Sequence, residues 1–184
     1  ISGPQHSRNT KGPAVFISNH MSTLETMTFP GIIQPLKEIT FIVKDALVSH
    51  PVFGAVMRSR NPIVLSRTNP RDDFRIVMEQ GLERISKGIS VVIFPQHTRR
   101  LTFNPAEFNS LGVKLAARAG VPVIPIAIKT DFWGNGRYTG YLGAIDRRKP
   151  VCIAFGEAFP VNGSGREEHQ QVVGWIQDHL NEWE

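Results

Sequence analysis

A histidine and a glutamate lie close together in the polar segment Ser18-Asn-His-Met-Ser-Thr-Leu-Glu25. The segment follows an apolar run, and polar residues just past a strand are where catalytic groups of α/β sheets tend to sit. On one straight helix, residues five apart would point about 140° away from each other, so His20 and Glu25 meet only if His20 lies in a turn and Glu25 opens the next helix. A carboxylate on one imidazole nitrogen leaves the other nitrogen to accept a proton. The spacing therefore admits a general base at His20.

The same residues have a purely structural interpretation. Ser22-x-x-Glu25 is a capping box, which stabilises the start of a helix and needs no catalysis. His20 would then be an ordinary turn histidine. The local pattern leaves both interpretations open.

A second polar turn follows the apolar run that ends at Phe94, and it contains Gln96, His97, Thr98 and Arg99. A guanidinium such as that of Arg99 suits bidentate recognition of phosphate, and backbone amides after Pro95 suit an anion or a developing oxyanion. We expect His97 to shape the site rather than to act as a second base. A solvated turn is the alternative.

Arg67 ends a third apolar run, Pro62-Ile-Val-Leu-Ser66. Taken alone it is equally well a surface arginine. A candidate base, an arginine and an arginine-containing turn at three strand ends together favour a functional site over three unrelated surface features.

Apolar runs alternate with helical patterns, which predicts one α/β domain over residues 1–184. The predicted strands are 14–18, 39–43, 62–66, 89–94, 121–128 and 151–155. The predicted helices begin near Thr23, Asn69, Ser110 and Ser164, and a further helical segment over 46–57 is interrupted near Pro51. Pro122 and Pro125 predict an edge or irregular position for the fifth strand, and 133–143 reads as a loop.

Composition excludes several classes of function. The chain has 41% hydrophobic residues, a net charge of +5 and one cysteine, so it contains no internal disulfide. The positive charge suits anionic lipid headgroups or an acidic carrier protein, and no aromatic-rich basic stretch indicates nucleic-acid binding. No apolar run is long enough to span a bilayer. Nucleophile-elbow, phosphate-loop and dinucleotide motifs are missing, and the spacing of His20, His50 and His97 does not support a metal site.

Four segments, in order, resemble the blocks of the PlsC-like lysophosphatidate acyltransferase family. Asn19-His20 with Glu25 resembles the His-x4-Asp motif, with Glu for Asp, and Pro62 to Arg67 resembles the second block. Phe94-Pro-Gln-His-Thr-Arg99 is similar to Phe-Pro-Glu-Gly-Thr-Arg, and Val121-Pro-Val-Ile-Pro125 matches the fourth block. The resemblance implies a mixed, mostly parallel sheet flanked by helices.

The resemblance also implies a reaction. His20, oriented by Glu25, would take the proton of an acceptor hydroxyl as it attacks the thioester of acyl-CoA or acyl-ACP, without a cofactor or metal. Arg67, Thr98 and Arg99 would hold the phosphate of a lysophospholipid acceptor, with Gln96 and His97 also in the substrate site. Because Gln96 and His97 depart from the family block, a glycolipid or an amino-acid lipid is an alternative acceptor. A catalytically silent lipid-binding module is a further alternative.

The implied substrates and the positive charge predict association with the cytoplasmic face of a membrane. The attachment would be peripheral, or through an anchoring segment upstream of Ile1.

Overall fold

The protein is built on a six-stranded sheet with the order β3-β2-β4-β1-β5-β6. A computed structural model describes residues 1–51, 54–96, 98–136 and 143–184. The strands are β1 (Val15–Ser18), β2 (Ile39–Lys44), β3 (Ile63–Leu65), β4 (Ser90–Ile93), β5 (Val123–Lys129) and β6 (Cys152–Phe155). The first five run parallel and β6 pairs antiparallel with β5, so the predicted mixed, mostly parallel sheet is confirmed.

In the described chain, helices lie before, between and after these strands. They are α1 (Pro4–Asn9), α2 (Leu24–Ile33), α3 (Asp45–Val48), α4 (Gly54–Arg58), α5 (Pro70–Ser86), α6 (Leu111–Ala119) and α7 (Arg166–Glu182), with a short 3-10 turn at Pro105–Glu107. The predicted interruption near Pro51 lies between α3 and α4. None of the described helices is both long enough and apolar enough to cross a bilayer.

The central strands are apolar because both faces of the sheet are covered. Every residue of β1 and β4 is buried, which is the pattern of parallel strands between two helical layers. The chain winds outward from β1 through β2 to β3 and then returns to β4 and β5. Right-handed crossovers therefore place α2 to α4 on one face of the sheet and α5 and α6 on the other.

Of the edge or irregular position that the prolines predict for the fifth strand, the edge alternative is wrong and the irregular one is confirmed. β5 lies inside the sheet, between β1 and β6. Val123 and Ile126 are three positions apart in β5, whereas their partners Phe159 and Phe155 are four positions apart, so the partner segment has one extra residue there. The carbonyl of Pro125 accepts a hydrogen bond from the Gly156 amide (2.9 Å). Pro125 has no N–H to donate, and it lies where the paired segment forms a bulge.

Local signals at helix starts give mixed results. Asn69 caps α5 by accepting a hydrogen bond from the Arg71 amide (3.0 Å), as predicted. The predicted capping box at Ser164 is wrong, because α7 begins one residue later with Gly165 at the N-cap and no side-chain cap. The sequence pattern does not predict α1, and residues 137–142 of the predicted loop lie outside the described residues.

Candidate active site

Polar side chains gather at the carboxyl ends of the parallel strands. His20 follows β1, Arg67 follows β3, Gln96 and Arg99 follow β4, and Thr130 follows β5. The strands run in the same direction, so these ends share one edge of the sheet. The sequence-predicted site therefore forms at a single place in the fold.

Glu25 is fully buried and accepts hydrogen bonds at both carboxylate oxygens. Its Oε1 accepts from His20 Nδ1 (2.8 Å), from the Met21 amide (2.7 Å) and from the Ser22 amide (2.8 Å). Its Oε2 accepts from the hydroxyls of Ser22 (3.0 Å) and Thr130 (2.8 Å). The histidine pair and the capping-box contact to Ser22 thus exist together, and the two interpretations of the sequence do not exclude each other.

These contacts favour an ionised Glu25 with a proton on Nδ1 of His20. Burial alone would raise the pKa of Glu25, but the hydrogen bond and charge of His20, together with hydrogen bonds from Ser22 and Thr130, bring its pKa below the ordinary value. An ionised carboxylate only accepts hydrogen bonds, so Nδ1 of His20 carries a proton. Nε2 is left as the ring nitrogen that can accept a proton from a ligand.

The turn after β4 surrounds His20. The side-chain oxygen of Gln96 accepts a hydrogen bond from the His20 amide (2.7 Å), and the Arg100 amide donates to the His20 carbonyl (2.9 Å). The Phe94 ring stacks on the imidazole with 4.3 Å between centroids. The imidazole keeps 18% of its surface exposed, so it is held in place but remains accessible.

Asn19, the residue before His20, extends the pairing of β1 with β5. Its side-chain amide donates to the Ile128 carbonyl (2.8 Å) and accepts from the Ile128 amide (2.9 Å). Asn19 is 1% exposed, so these two hydrogen bonds are shielded from solvent. The backbone on the N-terminal side of His20 is therefore tied to β5.

A cavity of about 440 Å³ opens in front of the imidazole. It lies on the α2 to α4 side of the sheet, and its wall combines polar and apolar side chains. The polar residues of the wall are His20, Thr23, Thr26, Lys44, Arg67, Thr98 and Arg99. The apolar residues are Phe41, Ile42, Val43, Leu47, Met57 and Phe94. This composition suits a molecule with an anionic head and an apolar tail.

The two predicted arginines are held differently at this cavity. Arg99 is half-buried and donates through Nη1 to the hydroxyl of Thr23 (2.6 Å), which brings it beside the start of α2. Arg67 has a positive φ of 57°, an uncommon conformation for a residue with a side chain. Burial lowers the pKa of Arg67 and the charge of Asp73 opposes this shift.

A second cavity of about 300 Å³ lies on the α5 and α6 side of the sheet. It is lined mainly by apolar side chains, with Lys114 and Asp73 among the polar ones. Ile42, Arg67 and Phe94 line both cavities. Arg67 therefore stands at the junction between them.

The other predicted site residues are placed as follows. Thr98 is exposed and lines the first cavity. Gln96 is only 2% exposed and is not part of the wall of either cavity. His97 lies outside the described residues. No cluster of three potential metal ligands occurs in the described part of the chain.

Thr130 is a site residue that the sequence analysis did not identify. It is fully buried, and its hydroxyl reaches Glu25 from the end of β5. The signal was present, since Thr130 directly follows an apolar strand, as His20 and Arg67 do. Because the prolines of this strand indicated an edge or irregular position, its carboxyl end was not predicted to contribute a side chain to the site.

Comparison with known proteins adds independent findings. A family model described as Acyltransferase matches residues 1–129. The chain is 31% identical over 175 residues to a 1-acyl-sn-glycerol-3-phosphate acyltransferase of Pseudomonas aeruginosa, covering 92% of this chain and 65% of the relative. A chloroplastic 1-acyl-sn-glycerol-3-phosphate acyltransferase of Brassica napus is 32% identical over 128 residues, or 70% of this chain and 36% of the relative. The chain thus spans less than two thirds of either relative.

The fold has a solved counterpart. The crystal structure of the 1-acyl-sn-glycerophosphate acyltransferase PlsC from Thermotoga maritima matches with a TM-score of 0.72 and 22% sequence identity. The match covers 98% of this chain and 70% of that one. The six-stranded mixed sheet with its flanking helices is therefore the PlsC fold.

Proposed function

The chain belongs to the Acyltransferase family, and on that premise we propose that it transfers a fatty acyl group from a thioester to the hydroxyl of a lysophosphatidate-like acceptor. The observation that carries the proposal is the His20 imidazole, which is held at Nδ1 by buried Glu25 and lines a cavity together with two arginines. The relatives carry names that specify acylation of 1-acyl-sn-glycerol-3-phosphate, a phosphate-bearing lipid with one free hydroxyl to acylate.

The reaction proceeds by direct transfer. Nε2 of His20 accepts the proton of the acceptor hydroxyl while its oxygen attacks the thioester carbonyl carbon. Glu25 stabilises the imidazolium that forms. The tetrahedral intermediate then collapses, the carbon–sulfur bond breaks, and the imidazolium returns the proton to the leaving thiolate. Bonds and charges balance without a cofactor, a metal or a covalent enzyme intermediate.

Arg67 and Arg99 bind the phosphate of the acceptor in this proposal, and Thr98 adds a hydroxyl donor. Both guanidiniums border the cavity that His20 lines, so a phosphate between them places the acceptor hydroxyl near the base. Lys44 contributes further positive charge at the rim. The apolar side chains of the cavity wall contact a hydrocarbon chain.

The donor in this proposal is acyl-CoA or acyl-ACP, and the enzyme works at the cytoplasmic face of a membrane. Both substrates carry hydrocarbon chains that partition into bilayers, and the net charge of +5 favours an anionic surface. Binding of the full-length protein to vesicles with and without anionic lipid tests this part. Equal, negligible binding to both would refute it.

The activity is tested by thiol release from long-chain acyl-CoA and acyl-ACP, with and without lysophosphatidate. We expect His20→Ala to lower kcat by about 10² to 10⁴-fold, because this is the usual contribution of a positioned base. Glu25→Gln should also lower kcat strongly, provided that its folding is verified. His6→Ala is the control, since this histidine of α1 lines neither cavity.

The same assay with several acceptor lipids distinguishes the proposed function from its alternatives. Release that depends on lysophosphatidate and is lost in His20→Ala supports the proposal. Release that occurs only with a glycolipid or an amino-acid lipid would keep the base and change the acceptor. Lipid binding that is unchanged in His20→Ala, without thiol release on any acceptor, would leave a lipid-binding module.

A further inference from the structure

The Gln96 side chain lies behind the base rather than beside the substrate cavity. It is 2% exposed, and neither cavity includes it in its wall. Its Oε1 accepts a hydrogen bond from the His20 amide at 2.7 Å. A side chain in this position cannot touch an acceptor that occupies the cavity without first leaving His20.

From this geometry we infer that Gln96 is a positioning residue that fixes the backbone of His20, and that it does not bind the acceptor. The inference deepens the proposed acyl transfer and rests on His20 being its base. The other groups of His20 are also held. Its carbonyl accepts from the Arg100 amide, its ring stacks on Phe94, and its Nδ1 donates to Glu25.

The turn that carries Gln96 is itself anchored, so it can serve as a support. The side-chain amide of Asn109 donates to the carbonyl of Pro95, the residue before Gln96. The side-chain oxygen of Asn109 accepts from the Leu111 amide (3.0 Å) at the start of α6. At the other end of the turn, the Arg100 guanidinium pairs with Glu107 (3.0 Å). His20 is thereby tied to α6 through the turn after β4.

The chemistry needed at position 96 is an oxygen acceptor of this length. A carboxylate supplies the same acceptor, and glutamate is the residue in the block that this segment resembles. Methionine has a similar length and shape but only a weakly accepting sulfur. Gln96→Glu and Gln96→Met therefore form a matched pair, in which one variant keeps the acceptor and the other removes it.

The kinetic test separates positioning from acceptor binding. We expect Gln96→Met to lower kcat at least about tenfold while KM for the acceptor stays within about twofold, because a small misplacement of a base is costly. Gln96→Glu should keep kcat within about threefold of the unchanged protein. A rise in acceptor KM with kcat retained in Gln96→Met would overturn the inference and make Gln96 an acceptor contact.

Amide hydrogen exchange, resolved by residue with NMR, tests the same inference without any turnover. We expect the His20 amide to exchange at least about tenfold faster in Gln96→Met than in the unchanged protein and in Gln96→Glu. The Ile17 amide, within β1, is the internal reference and should not change. Equal His20 exchange in all three proteins would refute the inference.

The exchange result remains decisive if the protein releases no thiol with any acceptor. In that case the proposed function fails, whereas the inference that Gln96 holds the His20 backbone stands or falls on the His20 amide alone.

Discussion

The Glu25 carboxylate contacts both the His20 ring and the backbone of the turn before α2. It orients His20, and it also accepts the Met21 and Ser22 amides at the turn that leads into α2. A variant at this position therefore disturbs the local fold as well as the orientation of His20. Thr130 offers a cleaner way to probe the pair, because its hydroxyl contacts Glu25 from another strand and not from the turn itself.

Thr130→Val should remove one hydrogen bond to Glu25 without leaving a cavity, since valine keeps the shape of threonine and lacks its hydroxyl. The pKa of Glu25 is lowered in the fold, so its stabilising effect is present above the ordinary value of 4.5 and is lost as pH falls through the folded value. Loss of one donor reduces this effect by about 1.5–3 kcal/mol near neutral pH. Urea unfolding at several pH values measures it, and Thr130→Ser is the control that restores the donor.

The difference between Thr130→Val and the unchanged protein should shrink as pH falls through the folded pKa of Glu25, which lies below 4.5, because the carboxylate of the folded protein becomes protonated there. A difference that is constant across this range would show that the hydroxyl does not act through the charge of Glu25.

At the scale of elements, α6 determines how closely the turn after β4 is held against the sheet. Gly112 lies in α6 where an added Cβ would come within 2.7 Å of Ile93 Cγ2 and 2.9 Å of Ile17 Cδ1. These two residues end β4 and approach the end of β1, directly before the turns that carry Gln96 and His20. The glycine thus permits close packing beneath the site.

Gly112→Ala should destabilise the protein by about 1–3 kcal/mol, because the extra methyl group overfills a packed contact. Gly174→Ala is the matched control in α7, where an added Cβ would meet nothing within 4 Å. The free energy of unfolding of this control should rise by about 0.4–1 kcal/mol, since alanine reduces the conformational freedom of the unfolded chain. Denaturant unfolding of both variants measures the contrast, and equal effects would contradict the packing argument.

At the scale of the whole molecule, the two cavities lie on opposite faces of one sheet and meet at Arg67. The positive φ of Arg67 brings its side chain to this junction at a cost in backbone strain of roughly 1 kcal/mol or more. Because such strain occurs at a residue that lines both cavities, we expect position 67 to serve function rather than stability.

Variants at Arg67 should separate function from stability. Arg67→Gly and Arg67→Ala both remove the guanidinium, so both should raise KM for lysophosphatidate at least about tenfold. Only glycine adopts this φ without strain, and Arg67→Gly should therefore be about 1 kcal/mol more stable than Arg67→Ala. Steady-state kinetics and denaturant unfolding test the two parts. Unchanged KM values would remove Arg67 from the acceptor site.

The sequence allowed much of the site to be predicted, because strand direction controls where strand ends lie. His20, Arg67 and Arg99 share an edge since the strands before them are parallel, and the spacing of His20 and Glu25 permits only one arrangement. The burial of Gln96 was not predictable, because the direction of a turn side chain depends on packing from other elements. Pro125 indicated an edge or an irregular position but not which of the two, since the bulge that accommodates it lies in the segment paired with β5.

The reciprocal pair between Asn19 and Ile128 also bears on the chemical ageing of the protein. Asparagine loses its amide when the backbone nitrogen of the next residue attacks the side-chain carbon to form a succinimide ring. Here that nitrogen belongs to His20 and is bound to Gln96, while the Asn19 carboxamide is bound at both ends to β5. The contacts that hold His20 thus also protect Asn19 from deamidation, which would leave a buried aspartate unable to donate to Ile128.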